Sequence, residues 1–332
     1  MNRRSLPVLL GLALTAGAVS IASPAHADDP VNTPPTASYA LDTTAIWAGQ
    51  RVNLSESGVT DDTTAPDAIT RSIDWGDGTV DGLFGHLYST AGTYQVKVTL
   101  NDGALDGSGV FTTGSAVTVT TSPGNYAWQK SPIYTYPNYQ EQATLLASGL
   151  PANTKVWTGW GDGETSLLSA GTSATVGHWF GTGPWTPKVT LQNGSGKATP
   201  RAVNTLTVLP DTTGPTVSLT VPASPNKAAS WSTVRGKAAD GEAGVDVVGI
   251  QFYKYNATTI YFYNFANGTW VKYTGQALPY TAQALRPVDG AGNWSVGAAG
   301  LSKGYTFEVD YYAWDKVGNI SDDYYVAYNL TS

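Results

Sequence analysis

The feature that most constrains the fold of this chain is a short strand-and-turn segment, residues 73–79, which occurs twice. Apolar Ile73 and Trp75 alternate with Asp74, as side chains do on the two faces of a β-strand. An Asp-Gly pair follows, which indicates a tight turn because Gly tolerates a positive φ. An altered copy lies at residues 160–164. The repeat predicts an array of small β-modules rather than one large enzyme domain.

The two copies continue in the same order. Each is followed by a His-x-aromatic segment, at residues 86–88 and 178–180, and each has a later Lys-Val-Thr-Leu run. Residues 93–101 alternate apolar and polar side chains and are predicted to form one continuous strand. Residues 55–70, rich in Ser, Asp, Thr and Pro, are predicted to be a loop.

These motifs resemble those of PKD (polycystic kidney disease) domains. Such domains are Ig-like β-sandwiches marked by a Trp-Gly-Asp-Gly-Thr turn, a His-x-Tyr element and a Gly-x-Tyr-x-Val-x-Val-x-Leu strand. The first copy carries all three, whereas the second has Glu164, Phe180 and Trp185 at three of the positions. Pro187 should confine its last strand to an edge or a bulge. The fold signature comprises Trp75, Gly76, Asp77, Gly78, His86, Tyr88, Trp160, Gly161, Asp162, Gly163 and His178.

The C-terminal part lacks this signature and has two Asp-x-x-Gly-Asn-x-Ser segments, at residues 289–295 and 315–321. It resembles the Ig-like modules of bacterial surface and secreted proteins. The predicted fold class is therefore all-β, with tandem Ig-like β-sandwich modules, two PKD-like and one bacterial Ig-like. The expected parts are a signal peptide (1–27), a linker (28–36), a PKD-like sandwich (37–121), a divergent PKD-like sandwich (125–209) and an aromatic-rich Ig-like sandwich (211–332).

The first residues have the pattern of a secretory signal peptide. Arg3 and Arg4 precede an apolar run, and Ala25-His26-Ala27 supplies the small-x-small cleavage pattern. The run is too short for a comfortable membrane span, so we expect a secreted, extracellular protein without a membrane anchor. The chain has no cysteine, which excludes disulfides, thiol catalysis and Cys-based metal sites.

The formal net charge is −7, with only 13 % charged residues. An acidic chain is not drawn to nucleic acid by charge, so no nucleic-acid partner is expected. Zincin, P-loop and dinucleotide-binding motifs are absent from the sequence, and no enzyme activity is expected. We expect a monomer without a resident cofactor, calcium being the one open alternative.

The calcium alternative rests on Asp74, Asp77 and Asp102, since hard cations take several oxygen ligands. The competing interpretation is that Asp77 and the equivalent Asp162 bond to the backbone of their own turns. No dense Asp-x-Asp-x-Asp-Gly loop is present, which favours the turn interpretation. One His in each PKD-like copy is too few for a zinc site, so both are expected to serve the fold.

The aromatic residues of the last module supply the ligand-binding hypothesis. Residues 260–265 alternate, and Asn267-Gly268 predicts a hairpin turn into the next strand. If one face of this hairpin is core, the other presents a row of rings suited to sugars or to a protein partner. The alternative is that both faces are buried. The candidate binding residues are Tyr261, Tyr263, Phe265 and Trp270.

Together these features predict a secreted, non-enzymatic binding or adhesion protein that acts on an extracellular polysaccharide or protein. An accessory chain of a secreted hydrolase system is the first alternative. A glycoside hydrolase hidden in the last module is the second, and it would require two acidic side chains that face each other in a cleft.

Overall fold

A computed structural model describes residues 31–332, except for the side chains of residues 169 and 170. The predicted signal peptide lies outside the described residues. The regular structure of the described chain is β-strand, apart from two 3-10 helices at Ala228–Trp231 and Tyr280–Ala282. The all-β class is therefore confirmed. No helix within residues 31–332 is long and apolar enough to cross a membrane.

The described chain separates into two compact units. The first comprises residues 31–42, 53–84 and 94–116, and the second comprises residues 43–52, 85–93 and 117–332. The strands of the N-terminal region are β1 (Thr36–Leu41), β2 (Ala45–Trp47), β3 (Arg51–Thr60), β4 (Thr70–Asp74), β5 (Val80–Asp81), β6 (Gly85–Leu87), β7 (Gly92–Tyr94), β8 (Lys97–Asn101), β9 (Ser108–Thr112) and β10 (Val117–Thr120).

The first unit is centred on a four-stranded sheet with the order β5-β4-β8-β9. Strand β3 pairs with β1 as far as Thr60, so the prediction of a loop over residues 55–70 is wrong for its first part. Polar side chains are compatible with this strand because its partner still satisfies the backbone hydrogen bonds.

The strand predicted over residues 93–101 is interrupted at Gln95 and Val96. The Gln95 amide donates to the Thr113 carbonyl oxygen at 2.8 Å, and Thr113 N donates to the Val96 carbonyl oxygen at 3.1 Å. These bonds replace regular ladder pairing at the interruption. The predicted inward direction of Val96, Val98 and Leu100 is confirmed, since all three are fully buried.

The middle region of the second unit contains three sheets around one apolar core. Pro187 is predicted to lie at an edge or a bulge. It lies between β17 and β18, and β18 pairs on both sides, so the edge alternative is wrong. Pro187 instead precedes the strand, where its missing N–H costs no ladder bond. The strands are β11 (Asn125–Trp128), β12 (Ile133–Thr135), β13 (Glu141–Ser148), β14 (Thr154–Gly159), β15 (Thr165–Ala170), β16 (Ser173–Phe180), β17 (Gly183–Trp185), β18 (Lys188–Asn193), β19 (Gly196–Lys197), β20 (Arg201–Ala202) and β21 (Leu206–Pro210).

The C-terminal region packs a three-stranded sheet, β22-β23-β28, and a larger sheet, β26-β25-β24-β29-β30 with β27 beside β24, around one core. Strands β24 and β29 form its long antiparallel centre. The strands are β22 (Thr216–Leu219), β23 (Thr233–Ala239), β24 (Val245–Tyr255), β25 (Ile260–Asn264), β26 (Thr269–Lys272), β27 (Gln283–Arg286), β28 (Asn293–Gly297), β29 (Thr306–Asp315) and β30 (Tyr324–Asn329).

Candidate functional site

The aromatic row suggested by the sequence faces inward. The predicted hairpin at Asn267-Gly268 forms, and it pairs Tyr263 with Trp270. Tyr263 is 5 % exposed and lies in the core of the C-terminal region, with its ring 5.0 Å from the rings of Phe265 and Trp270. This face is therefore covered. On the other face Phe262 is buried and Ile260 is exposed, so the alternative that both faces are buried holds in part.

The outer end of that row already holds a cation from the chain itself. The Lys254 ammonium lies 4.7 Å from the Trp270 ring and 5.5 Å from the Tyr261 ring, and it donates to the Gly300 carbonyl oxygen at 3.0 Å. Burial lowers the pKa of Lys254. The Trp270 indole N–H donates to the Ala299 carbonyl oxygen at 2.7 Å. These partners occupy the polar groups and ring faces that a ligand would need.

The other face of the large sheet carries a different set of side chains. In β24, Val248, Ile250 and Phe252 are buried in the core, so the alternation places Gln251, Tyr253 and Tyr255 on the outer face. In β29 the buried residues are odd-numbered, so Glu308, Asp310 and Tyr312 lie outward.

Strand register brings these outward side chains into rows. Gln251 lies opposite Asp310 across the β24–β29 ladder, and Asp310 lies opposite Tyr325 of β30. Tyr253 lies opposite Glu308 in the neighbouring row. Side chains directly opposite each other have β-carbons about 5 Å apart, so each row forms a continuous surface.

Two cavities of about 600 and 420 Å³ open on this face, and they share Tyr255, Glu308 and Asp310. We call the combined feature the tyrosine–carboxylate groove. Cavities of this size, lined by aromatic rings with a few polar groups, are typical of small-ligand sites. Its defining residues are Gln251, Tyr253, Tyr255, Glu308, Asp310, Tyr312 and Tyr325.

One end of the groove is formed by the Tyr312 ring, which packs against the backbone at Gly249. A β-carbon added to Gly249 would stand 2.7 Å from the Tyr312 ring, so this close approach requires glycine. The Gln283 amide donates to the Tyr312 hydroxyl oxygen, and the Tyr312 and Trp314 rings meet edge to face at 4.6 Å. The Tyr312 ring is thus held on both sides.

The groove's polar groups are partly engaged with one another. The Tyr253 hydroxyl donates to the Gln251 amide oxygen at 3.0 Å, and the Tyr255 hydroxyl donates to Glu308 Oε2 at 3.2 Å. Asp310 Oδ1 is buried and accepts no hydrogen bond from the described residues. A buried acceptor without a donor is costly. The Asp310 side chain as a whole lines both cavities.

Burial is the main cause of the raised pKa of Asp310, about 6, and the nearby carboxylates of Glu308 and Asp323 raise it further. Burial, together with Asp310 and Glu308, also raises the pKa of Tyr253 to about 12. Carboxylates line the two cavities, whereas neither lining includes a lysine or an arginine. The groove therefore combines tyrosine rings with uncompensated negative charge.

The repeated signature has a structural explanation in both copies. Trp75 N donates to the Thr79 carbonyl oxygen at 3.0 Å, and Trp160 N donates to the Glu164 carbonyl oxygen at 3.1 Å. Both indoles are fully buried. Their N–H groups donate to side chains six residues later, to Asp81 Oδ1 at 3.2 Å in the first copy and to the hydroxyl of the second copy's Ser166 at 2.9 Å.

The calcium candidates bond to the backbone near them. Asp74 Oδ1 accepts from Gly76 N at 2.9 Å, Asp77 Oδ1 accepts from Thr79 N at 3.0 Å, and Asp102 Oδ1 accepts from Ala104 N at 2.8 Å. Among the described residues, none of these three carboxylates belongs to a group of potential metal ligands within reach of one ion. This geometry supports the turn interpretation.

Two other groups do bring potential ligands together, and neither combination was predicted from the sequence, although Asp162 was one of the residues considered for calcium. One consists of Asp162, Glu164 and His178, the other of Asp211, Asp240 and Asp315.

In the first group, His178 Nε2 lies 2.6 Å from Asp162 Oδ2. The ring of His178 stacks on that of Trp160 at 4.7 Å. This packing supports the structural role predicted for the histidine. In the first copy the His86 and Tyr88 rings meet edge to face at 4.7 Å.

In the second group, the buried oxygens of Asp211 and Asp315 accept hydrogen bonds from backbone N–H groups and from the Asn319 amide.

The sequence carries a local signal for the groove that is independent of the aromatic row. Tyr253 and Tyr255, like Glu308 and Asp310, stand two residues apart and therefore share a strand face. The register that makes the two pairs neighbours is a long-range property of the fold, which alternation within one strand does not show.

Comparisons with known proteins leave the chain without an assigned family. No family model and no curated protein matches it. Similar solved structures include domains A168–A170 of titin (14 % identity, TM-score 0.24), which cover 89 % of this chain and 97 % of that one.

Fibronectin(III)-like modules of Clostridium thermocellum CbhA are also similar (16 % identity, TM-score 0.24). The match covers 52 % of this chain and 95 % of that one. A third similar structure concerns the promiscuous specificity of carbohydrate-binding modules from the β-sandwich superfamily (13 % identity, TM-score 0.25). The match covers 90 % of this chain and 97 % of that one. These TM-scores are too low to support a conclusion about function.

Proposed function

We propose that this chain is a secreted, non-enzymatic binding protein that holds an extracellular polysaccharide in the tyrosine–carboxylate groove. The observation that carries the proposal is the alignment of Tyr253 and Tyr255 on β24 with Glu308 and Asp310 on β29 in one open depression.

The side chains of the groove match the two kinds of surface that a sugar presents. Tyrosine rings offer apolar faces for the C–H face of a pyranose, and their hydroxyls offer polar contacts. Carboxylate and amide oxygens accept hydrogen bonds from sugar hydroxyls. The Asp310 carboxylate, which lines both cavities, is one such acceptor.

The groove is built on strands rather than on loops. Its floor is the centre of the large sheet, whose opposite face packs on the core. Sites on packed strands hold side chains more accurately than loops do, so little ordering is required on binding. Accessory binding for a hydrolase encoded as a separate chain would use the same surface.

A glycan array followed by calorimetric titration tests the proposal. Tyr255→Ala combined with Tyr325→Ala should weaken glycan binding by about tenfold for each ring that contacts sugar. Tyr280→Ala is the matched control, because Tyr280 is 91 % exposed and lines neither cavity. Unchanged affinity in the double variant, or failure of the wild-type chain to bind any glycan, would refute the proposal.

Glycoside hydrolysis is the second candidate. The observation in its favour is that Glu308 and Asp310 share a strand face, with Asp310 protonated more readily than an ordinary carboxyl. However, both side chains project from the same strand, with α-carbons about 7 Å apart. A glycoside hydrolase instead places its two carboxyl groups on opposite sides of the glycosidic bond. Release of new reducing ends from a bound polysaccharide, abolished by Asp310→Asn, would establish hydrolysis. We expect no release.

A further inference from the structure

We propose that the tyrosine–carboxylate groove selects a cationic ligand, a polysaccharide with free amino groups such as de-N-acetylated glucosamine polymers. This inference rests on the proposed function and specifies the class of glycan.

The charge of the groove is the first argument. Glu308, Asp310 and Asp323 line its larger cavity, and neither cavity is lined by a lysine or an arginine. Within residues 31–332, no lysine, arginine or histidine forms an ion pair with these three carboxylates. A ligand ammonium would supply the missing charge.

The hydrogen-bonding capacity of the same groups is the second argument. Asp310 Oδ1 has no donor among the described residues, and within the same residues Glu308 accepts only from the Tyr255 hydroxyl. An ammonium carries three N–H donors and no acceptor, so it complements a site made of acceptors. A sugar hydroxyl can bond to the same carboxylate but leaves its charge unbalanced.

The rings around the carboxylates are the third argument. Tyr255 and Tyr325 line the groove beside Glu308 and Asp310, and a cation is attracted to the face of an aromatic ring within about 6 Å. The opposite face of this sheet shows that its tyrosines can accommodate an ammonium, because the Lys254 ammonium lies 5.5 Å from Tyr261 and 5.2 Å from Tyr305.

The expected pH dependence follows from the groups around Asp310. Glu308 lies on the same strand, Gln251 and Tyr253 face it from β24, Tyr325 faces it from β30, and Asp323 precedes that strand. These neighbours include no cation, and Asp310 is ionised above about pH 6. Affinity for a ligand with a permanent positive charge should therefore fall as the pH decreases through 6.

Calorimetric titration of the full chain with three matched hexasaccharides tests the inference. The probes are a glucosamine oligomer, the N-acetylated oligomer and a glucose oligomer. At a pH where the amines are charged, the glucosamine oligomer should bind about tenfold more tightly than the other two, which is the effect of one charge-assisted hydrogen bond. A trimethylated glucosamine oligomer, titrated at pH 5 and pH 7.5, provides the pH comparison.

Two isosteric variants keep the test decisive. Asp310→Asn, and independently Glu308→Gln, should bring the ratio of the affinities for the glucosamine and the N-acetylated oligomers towards one, whatever loss of affinity the two oligomers share. Asp246→Asn is the control, since Asp246 is exposed and lines neither cavity. Equal binding of all three oligomers would overturn the inference and leave the proposed function standing. Absence of binding to every oligomer and every arrayed glycan would overturn both.

Discussion

The ring of Tyr312 lies against the α-carbon of Gly249, on the outer face of the large sheet. A β-carbon at Gly249 would meet the Tyr312 ring at 2.7 Å and the Gln283 amide nitrogen at 2.8 Å. The glycine therefore allows the Tyr312 ring to pack directly against the backbone at the end of the groove.

Gly249→Ala should displace the Tyr312 ring and weaken glycan binding, with a loss of about 1–3 kcal/mol in the free energy of unfolding from overpacking. Gly297→Ala is the control, because a β-carbon there has its nearest neighbour at 3.9 Å. Thermal unfolding and calorimetric titration measure both effects. Similar stability and affinity in the two variants would contradict the assigned packing.

Tyr263 and Tyr255 should respond in opposite ways to truncation. Tyr263→Ala removes a core ring and should cost about 3–5 kcal/mol of unfolding free energy. Tyr255→Ala removes a groove ring and should mainly reduce ligand affinity. Denaturant unfolding combined with titration separates the two. A stable Tyr263→Ala variant that has lost binding would restore the inward-facing row as the site.

Asp310→Asn should stabilise the protein at neutral pH. The pKa of Asp310 is about 6 in the folded chain and about 3.9 in the unfolded chain, so the folded state holds the proton more tightly between these values. Stability should then fall as the pH rises through this window.

Removing the charge should therefore raise the free energy of unfolding by roughly 1–2 kcal/mol at pH 7.5, after allowance for solvent screening, and should change it little at pH 4. Chemical denaturation at the two pH values, with Asp246→Asn as the control, measures the difference. A loss of stability at pH 7.5, or an equal gain at both pH values, would argue against a folded state that disfavours the charged form of Asp310.

The two glycines of the first signature turn should differ in their sensitivity to alanine. Both have positive φ, +82° at Gly76 and +96° at Gly78, so each substitution strains the backbone by about 1 kcal/mol.

Only Gly76 has a close neighbour, the Gln95 carbonyl oxygen, 2.8 Å from an added β-carbon. Gly76→Ala should therefore reduce stability more than Gly78→Ala, as thermal melts would show. The reverse order would contradict the turn geometry.

Local sequence patterns predicted the local structure well. The alternation of Val96, Val98 and Leu100 gave their burial, and Asn267-Gly268 gave the hairpin. The interruption at Gln95 was missed because apolar alternation continues across it, whereas the bonds to Thr113 come from elsewhere in the chain.

The candidate site was missed for a related reason. Alternation showed that Tyr261 and Tyr263 share a face, but it could not show which face of the sheet meets the core. That choice depends on packing against the three-stranded sheet, whose Trp294 and Val296 lie in the same core. The position of Tyr253 directly opposite Glu308 depends on the register between β24 and β29, which alternation within one strand does not show.

The most direct test of the central claim is to map where a glycan binds. NMR titration of the chain, with labelled tyrosine rings and amides, against a glucosamine oligomer would report both faces of the large sheet. We predict that the largest shifts occur at Tyr255, Asp310 and Tyr325, while Tyr261 and Tyr263 change little. Saturable shifts centred on Tyr261, or on a region outside the large sheet, would contradict the account.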